Sequence, residues 1–501
     1  MLVMKFGGTS VEDARAIERV ARIVRSRRKQ GPLVVVSAFA KVTDQLVLMG
    51  QQAAAGDRES SRRLCYEIRE RHLDTAAQLL EPTIRSQVVP PAETLFNQLE
   101  DFLQGLSVIR ELSPRSMDYL LSFGEVLSSK IIAAALAARG LDAIWVDSRE
   151  YVITDSDHTH ARPLFDETRE RTQARLSPLI AKAQIPVMGG FIASTRDGVP
   201  TTLGRGGSDF SAAILGSVLG AERIEIWTDV AGMMTTDPRL CSDARTIHRI
   251  SFNEAAELAY FGAKVLHPAT LLPAIEQDIP VYVLNSRNRK SRGTRITAHA
   301  PRSRDTFRAI TAKTGVSIVN VAASRGVMVH GFLRSVFEAL DRHAASVDIV
   351  AISEVSLSLT MESNRLPQAL LVDLEQIADV SCEHLHAIVC LVGDEIHGKP
   401  GIAASVFNAV AAAGVNVRMI SQGASEINIS FVIHECDVPR AVQHLHAHFF
   451  ANRSRPLAST FRGRVFRRRK VFAPPVNGKS RTAESASPPL GLVTQHSTAK
   501  Q

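Results

Sequence analysis

From the N-terminus to about residue 295, short uninterrupted apolar runs alternate with stretches whose apolar positions recur every three or four residues. LVMKF (2–6), PLVVVSA (32–38), AIWVD (143–147), IPVMGG (185–190), RIEIWTD (223–229) and IPVYVLN (279–285) are rich in branched residues and unbroken. That pattern predicts strands buried on both faces. In the first helical stretch, Ile17, Val20 and Val24 share one face, and Thr9 with Glu12 predicts a capping box ahead of it. Strand–helix alternation of this kind predicts an α/β fold, a mostly parallel sheet covered by helices on both sides.

The segment NSRNRKSRGTR (285–295) is polar and basic and reads as a linker. Beyond it the chain repeats itself. GFLRSVFEALDRHAASVDIVAIS (331–353) and GIAASVFNAVAAAGVNVRMISQG (401–423) share G-[FI]-x-x-S-V-F, and Ser346–Ile349 meets Asn416–Met419 at the same offset of 70. Each copy reads as a helix returning into a strand, followed by a β-rich stretch (VSLSLTM, INISFVI). Two ferredoxin-like βαββαβ units are expected. After residue 451 Pro, Ser, Gly and basic residues dominate, a composition that predicts disorder.

Composition adds little to this picture except in the tail. Residues 451–501 hold eleven Lys/Arg against one acid, Glu484, so the net +8 of the chain resides there and the body is close to neutral. A nucleic-acid partner for the body is therefore not expected. The tail alone is left between a solvated appendage and a binder of RNA, DNA or anionic lipid. No apolar run reads as long enough to cross a bilayer, and MLVMKFGGTS does not read as a signal peptide. Cys65, Cys241, Cys382, Cys390 and Cys436 are scattered, without zinc or redox spacing. Reduced thiols and a cytoplasmic location are expected. No His/Cys/Glu cluster has metal-ligand spacing, and HTH (158–160) reads as a polar loop.

Two glycine-bearing loops carry the candidate chemistry. KFGGTS (5–10) follows the first strand, and LGRGGSD (203–209) precedes the helix FSAAILGSVL. In each, glycines let the backbone approach a ligand at a helix N-terminus, an arrangement suited to phosphate. Neither is a Walker A loop, and no G-x-G-x-x-G follows the first strand. Lys5 at a strand end suits a transferred phosphoryl group. Arg205 beside Gly206-Gly207 suits a carboxylate. Asp209 reads both as a helix cap and as a partner for Lys5 or a metal–nucleotide.

With LSFGEVLSSK (121–130), WTDVAGMMTTDPR (227–239) and FGAKVLHPAT (261–270), these loops occur in the order and spacing of the aspartate kinases, which the chain resembles over residues 1–450. The resemblance implies an amino acid kinase αβα sandwich over 1–295, ACT domains over 305–385 and 386–450, and a basic tail over 451–501. It implies transfer of the γ-phosphoryl of ATP, arriving with Mg²⁺, to the β-carboxylate of L-aspartate. In that reading Lys5 neutralises the phosphoryl group in flight and Asp209 organises the site around it. Arg205, with Ser208, clamps a substrate carboxylate, Glu125 meets the substrate ammonium and Thr43 touches substrate. Gly7, Gly8, Gly206 and Gly207 supply backbone donors, while Thr228, Asp229, Arg239 and Lys264 lie on the nucleotide side. Met234 stands beside the adenine, where the family often has Tyr. The ACT pair implies a homodimer or dimer of dimers and an amino-acid effector, lysine or threonine, near Ser346, Val347, Asp348 and Ser353. The segment SRGVMVHGFL (324–333) lacks the usual M-L-x-x-x-G-F-L, with Gly326 and Val329 at effector-contacting positions, which leaves the effector open. Two rival readings remain: a relative acting on glutamate, carbamate or a nucleotide, and a non-catalytic amino-acid sensor. The SFGE motif argues against the first and the presence of Lys5, Arg205 and Asp209 against the second.

Overall fold

The computed structural model describes residues 1–450, apart from 263–267, 302, 304, 324–330, 394–395, 397–398 and 423–426. The basic tail, Lys264, Gly326 and Val329 therefore lie outside the described residues.

The first apolar runs form β1 (Leu2–Phe6), β2 (Pro32–Val36), β3 (Ala143–Val146) and β4 (Ile185–Gly189). A short hairpin follows, β5 (Ile192–Ser194) and β6 (Pro200–Thr202), then β7 (Arg223–Thr228), β8 (Arg249–Ser251), β9 (Val281–Asn285) and β10 (Thr294–Thr297). Eight strands join in the order β3-β4-β2-β1-β7-β9-β10-β8. The six strands from β3 to β9 run parallel, and β10 turns back antiparallel. The basic stretch expected to be a linker is thus the turn of the β9–β10 hairpin. Its polar residues sit at a tight connection, where Gly293 takes φ +61° because a Cβ would lie 2.1 Å from Val283 O.

Helices α1 (Ala14–Arg27), α2 (Val42–Ala55), α3 (Arg58–Leu79), α4 (Pro82–Ile109) and α5 (Pro114–Ala138) cover one face. Helices α6 (Phe165–Ala181), α7 (Gly207–Leu219), α8 (Phe252–Tyr260) and α9 (Leu272–Glu276) cover the other. Along β1, Leu2, Met4 and Phe6 enter the first core and Val3 the second. Period-2 alternation therefore aims Lys5 toward α7. The cap of α1 is Asp13, which accepts from Ala16 N at 2.7 Å, and not the Thr9–Glu12 box. The chain first makes a short 3-10 turn over Gly8–Ser10, which moves the helix start past Thr9. By length and composition α5 is apolar enough to span a bilayer, contrary to the sequence reading, but 83% of its most apolar stretch is buried inside the protein.

The repeats build β11 (Ala309–Ala322), α10 (Phe332–Arg342), β12 (Val350–Ile352), β13 (Ser356–Glu362), α11 (Gln368–Glu375) and β14 (Asp379–Val392), then α12 (Ile402–Ala412), β15 (Met419–Ser421), β16 (Asn428–His434) and α13 (Val438–Phe450). Their six strands form one sheet, β12-β13-β11-β14-β16-β15. The units are interleaved, not consecutive. Residues 309–313 pair with 388–392 and pack under α12 and α13, whereas 316–322 pair with both 379–386 and 356–362 and pack under α10 and α11. A boundary at 385/386 is therefore corrected: the second unit takes a strand from upstream of the first. The register breaks between Lys313 and Ile318, with Gly315 at φ +71°, let one long strand serve both.

Candidate active site

Parallel pairing brings the C-terminal ends of β1, β2, β4 and β7 side by side. Loops leaving the β1–β2–β4 side line a cleft of about 620 Å³ whose walls include Lys5, Thr43, Glu125, Arg205, Ser208 and Asp209. All six acceptor-side and catalytic residues expected from the sequence converge there.

Lys5 Nζ lies 2.6 Å from Asp209 Oδ1, and both side chains are nearly buried. Asp209 stands in the first turn of α7, and the N-cap position belongs to Gly206 at φ +71°. Its carboxylate is thus free of capping duty and adds favourably to the positive end of the helix dipole. Close packing fixes this helix end. A Cβ on Gly207 would meet Phe191 Cδ2 at 2.5 Å, and one on Gly190 would meet Ser208 Cα and Cβ at 2.8 Å. Gly190→Ala is expected to cost about 1–3 kcal/mol by overpacking, seen as a lower Tm together with reduced turnover. An unchanged melting curve would show that the α7 end yields freely.

Glu125, on α5, is fully buried beneath the cleft. Its Oε1 accepts from Ala38 N at 3.1 Å, and Oε2 has no hydrogen-bond partner among the described residues. Burial pushes the carboxyl up to about 8, with the Ala38 amide and the Lys5 charge opposing the rise. Ser37 Oγ donates to Ser208 Oγ at 3.0 Å and ties the β2 loop to α7. Thr43 sits in the first turn of α2. The loop before it is stapled by Arg71 of α3, which donates to Ala40 O at 2.7 Å and Glu12 O at 2.9 Å. The neighbouring His72 stacks on Phe39 at 4.5 Å, and burial lowers its pKa to about 4, so it packs as a neutral ring. The sequence reading missed Arg71 and His72. On a long polar helix they carry no motif signal.

The expected donors fare unevenly. Gly8 and Gly206 line the cleft, but Gly7 N donates to Trp227 O at 3.1 Å and Gly207 N to Gly204 O at 3.0 Å. Those two amides are committed internally. Gly7 instead leaves room above Lys5, since a Cβ there would lie 3.6 Å from Nζ. Thr228 ends β7 and Asp229 follows it, and Ser10 Oγ of the β1 loop reaches Trp227 O at 3.2 Å. Met234 is half-buried and bridges to Thr246. The Arg239 guanidinium is exposed and held by Asp237. In the repeats, Asp348 is ion-paired to Lys313 Nζ at 2.7 Å, and Lys313 also meets Glu362 at 3.1 Å. The carboxylate expected to hold an effector ammonium already holds one from this chain. Ser353 Oγ closes a turn onto Ser356, Val347 packs on the α10–α11 core and Ser346 is exposed.

Residues 1–285 match the amino acid kinase family, and residues 389–449 match the ACT domain. Aspartokinase 1, chloroplastic, of Arabidopsis thaliana is 37% identical over 463 residues, covering 89% of this chain and 80% of its own. The crystal structure of Escherichia coli aspartokinase III with aspartate and ADP (R-state) is 36% identical, with a TM-score of 0.79 over 90% of this chain and 100% of that one. The same enzyme with lysine and aspartate (T-state) gives 36% and 0.76 over 90% and 99%.

Proposed function

The chain belongs to the amino acid kinase family and is an aspartokinase, and from that premise we propose how its cleft transfers phosphate. The observation that carries the proposal is the buried Glu125 carboxylate, with Oε2 unpartnered, in the same cleft as Arg205 and the Lys5–Asp209 pair. An α-amino acid offers an ammonium for Glu125 and an α-carboxylate for Arg205. Its second carboxylate is then left for the phosphoryl group. That carboxylate is ionised at neutral pH, so no strong base is needed. One of its oxygens forms a bond to the γ-phosphorus as the β–γ bridging P–O bond breaks and ADP leaves, giving an acyl phosphate. Lys5 neutralises the charge spread over the equatorial oxygens, and Asp209 holds it there.

MgATP enters as the co-substrate. Among the described residues no three His, Cys, Asp or Glu stand together as an ion site, so the proposal gives the ion to the triphosphate and its waters. Thr228, Asp229 and Met234 are assigned to the nucleotide side, and Arg239 joins them only by leaving Asp237. We assign residues 1–295 to catalysis and the interleaved repeats to regulation. Exposed Val350 and Ile352 on the edge strand β12 support self-association through the ACT sheet. A lysine or threonine effector at Asp348 would share the carboxylate with Lys313, which holds Oδ1 while Oδ2 has no partner among the described residues. The location we propose is cytoplasmic.

ADP release by purified protein with MgATP and L-aspartate, titrated in turn with lysine, threonine and methionine, tests this reading. Aspartate-dependent turnover is expected, suppressed by one of the three. Turnover that none of them suppresses leaves the kinase standing and removes the regulatory half. Folded, ATP-binding protein with no aspartate-dependent turnover overturns it.

A further inference from the structure

The HTH segment forms a stretch of cleft wall for which the phosphoryl chemistry has no task, yet it is held by a buried charge. Asp118 lies on α5 two turns before Glu125 and is wholly buried. Its carboxylate accepts from Thr159 N at 2.9 and 3.1 Å and from Thr202 Oγ1 at 2.6 Å, and Oδ2 stands 2.8 Å from His158 Nδ1. Thr159 takes φ +71°, a left-handed backbone that a β-branched residue adopts only when its surroundings impose it. The bonds to Asp118 impose it here. The consequence falls on His160, which lines the cleft with Arg205, Glu125 and Thr43. Thr159 Oγ1 lies 2.9 Å from His160 Nδ1, so Nε2 is the ring's remaining polar atom.

The same carboxylate also fixes the adjoining stretch of wall. Thr202 is the last residue of β6, from which the loop carrying Arg205 departs. That loop packs directly on the HTH segment: a Cβ on Gly204, itself at φ +72°, would meet Thr159 O at 3.1 Å and His160 Cδ2 at 3.3 Å. Burying an ion costs several kcal/mol unless it is fully hydrogen-bonded. A neutral residue could fill the same space, so the charge is explained by the geometry it enforces on two loops at once.

We propose that His160 reads the acceptor amino acid, donating from Nε2 to its α-carboxylate beside Arg205, and that Asp118 is the positioning residue for both. In this arrangement the Thr159 hydroxyl donates to Nδ1, which places the imidazole proton on Nε2. The proposal rests on the aspartokinase reading above.

The test is steady-state turnover of the full chain, with aspartate and MgATP varied separately, for His160→Ala, Asp118→Asn and Thr202→Val. His160→Ala is expected to raise the aspartate KM about tenfold and leave the ATP KM within twofold, with His160→Gln, which restores a donor, recovering part of the loss. Asp118→Asn should shift the aspartate KM in the same direction. Asp118→Asn/His160→Ala should be no worse than Asp118→Asn alone, because residues acting as a unit are not additive. His160 is exposed, so His160→Ala decides the matter even where Asp118→Asn or Thr202→Val, each of which removes a bond at a buried carboxylate, misfolds. An aspartate KM unmoved by His160→Ala, or both KM values rising together, overturns the proposal. The wild type in the same assay separates the two readings: aspartate turnover with an unmoved His160→Ala sinks this inference alone, and no aspartate turnover removes both.

Discussion

Lys5→Met is expected to lower kcat for aspartate phosphorylation about a thousandfold, the scale seen when one preorganised charge aimed at a transition state is removed. The aspartate KM should move only a few-fold, because Lys5 makes its contribution to charge that develops on the phosphoryl oxygens and not to the ground-state amino acid. The structure adds a second consequence. Asp209 loses its partner at 2.6 Å and remains a nearly buried carboxylate at the place proposed for the triphosphate. Repulsion there should weaken MgATP binding, and Lys5→Met/Asp209→Asn should regain part of the lost affinity without regaining kcat. Steady-state ADP release and nucleotide titration of both variants check this. A kcat within tenfold of wild type for Lys5→Met would show that the phosphoryl group is stabilised elsewhere.

Why this pair could be suspected from sequence, although 204 positions separate its members, is a matter of sheet geometry. Continuous apolar runs marked β1, β2, β4 and β7 as buried parallel strands, and parallel strands present their loops at one end. KFGGTS leaves β1 directly, whereas LGRGGSD follows the β5–β6 hairpin and reaches the same end because it opens α7, which packs against the β1 face that carries Lys5. Other features carried no such signal. The hairpin at 285–295 has linker composition, and only the 2.1 Å approach at Gly293 reveals a tight turn. The interleaving of the repeats rests on residues 309–313, which lie outside the repeated motif and look like any short strand. Asp118 was legible in principle. In DYLLSFGE (118–125) two acids stand seven apart on an apolar helix, hence on one buried face, and two buried carboxylates demand partners. The loops that answer the demand come from elsewhere in the chain, and no local pattern announces them.

Glu125→Gln is the change with the largest expected effect on aspartate binding. In the proposed site the substrate ammonium meets one buried carboxyl, ionised in the complex, and a hydrogen bond to a charged group is worth about 1.5–3 kcal/mol. The aspartate KM should therefore rise roughly ten- to a hundredfold, with the ATP KM little changed. The pH dependence sharpens the test. With burial holding the Glu125 carboxyl up at about 8, the free protein carries it largely protonated at neutral pH, while the ammonium binds only the ionised form. Aspartate affinity in the wild type should thus improve as pH rises toward 8 and level off above it. In Glu125→Gln this slope disappears. Stability gives an independent reading with the opposite sign. Because the folded-state pKa lies above the ordinary value of 4.5, the native state binds the extra proton between the two, and this contribution to stability is lost as pH rises through 8. Tm of ligand-free wild type should accordingly fall between pH 6 and 8.5 by more than that of Glu125→Gln, and saturating aspartate should narrow the difference. Parallel pH profiles for the two proteins, in KM and in Tm, would show that the carboxyl is ionised throughout and that the ammonium is held elsewhere.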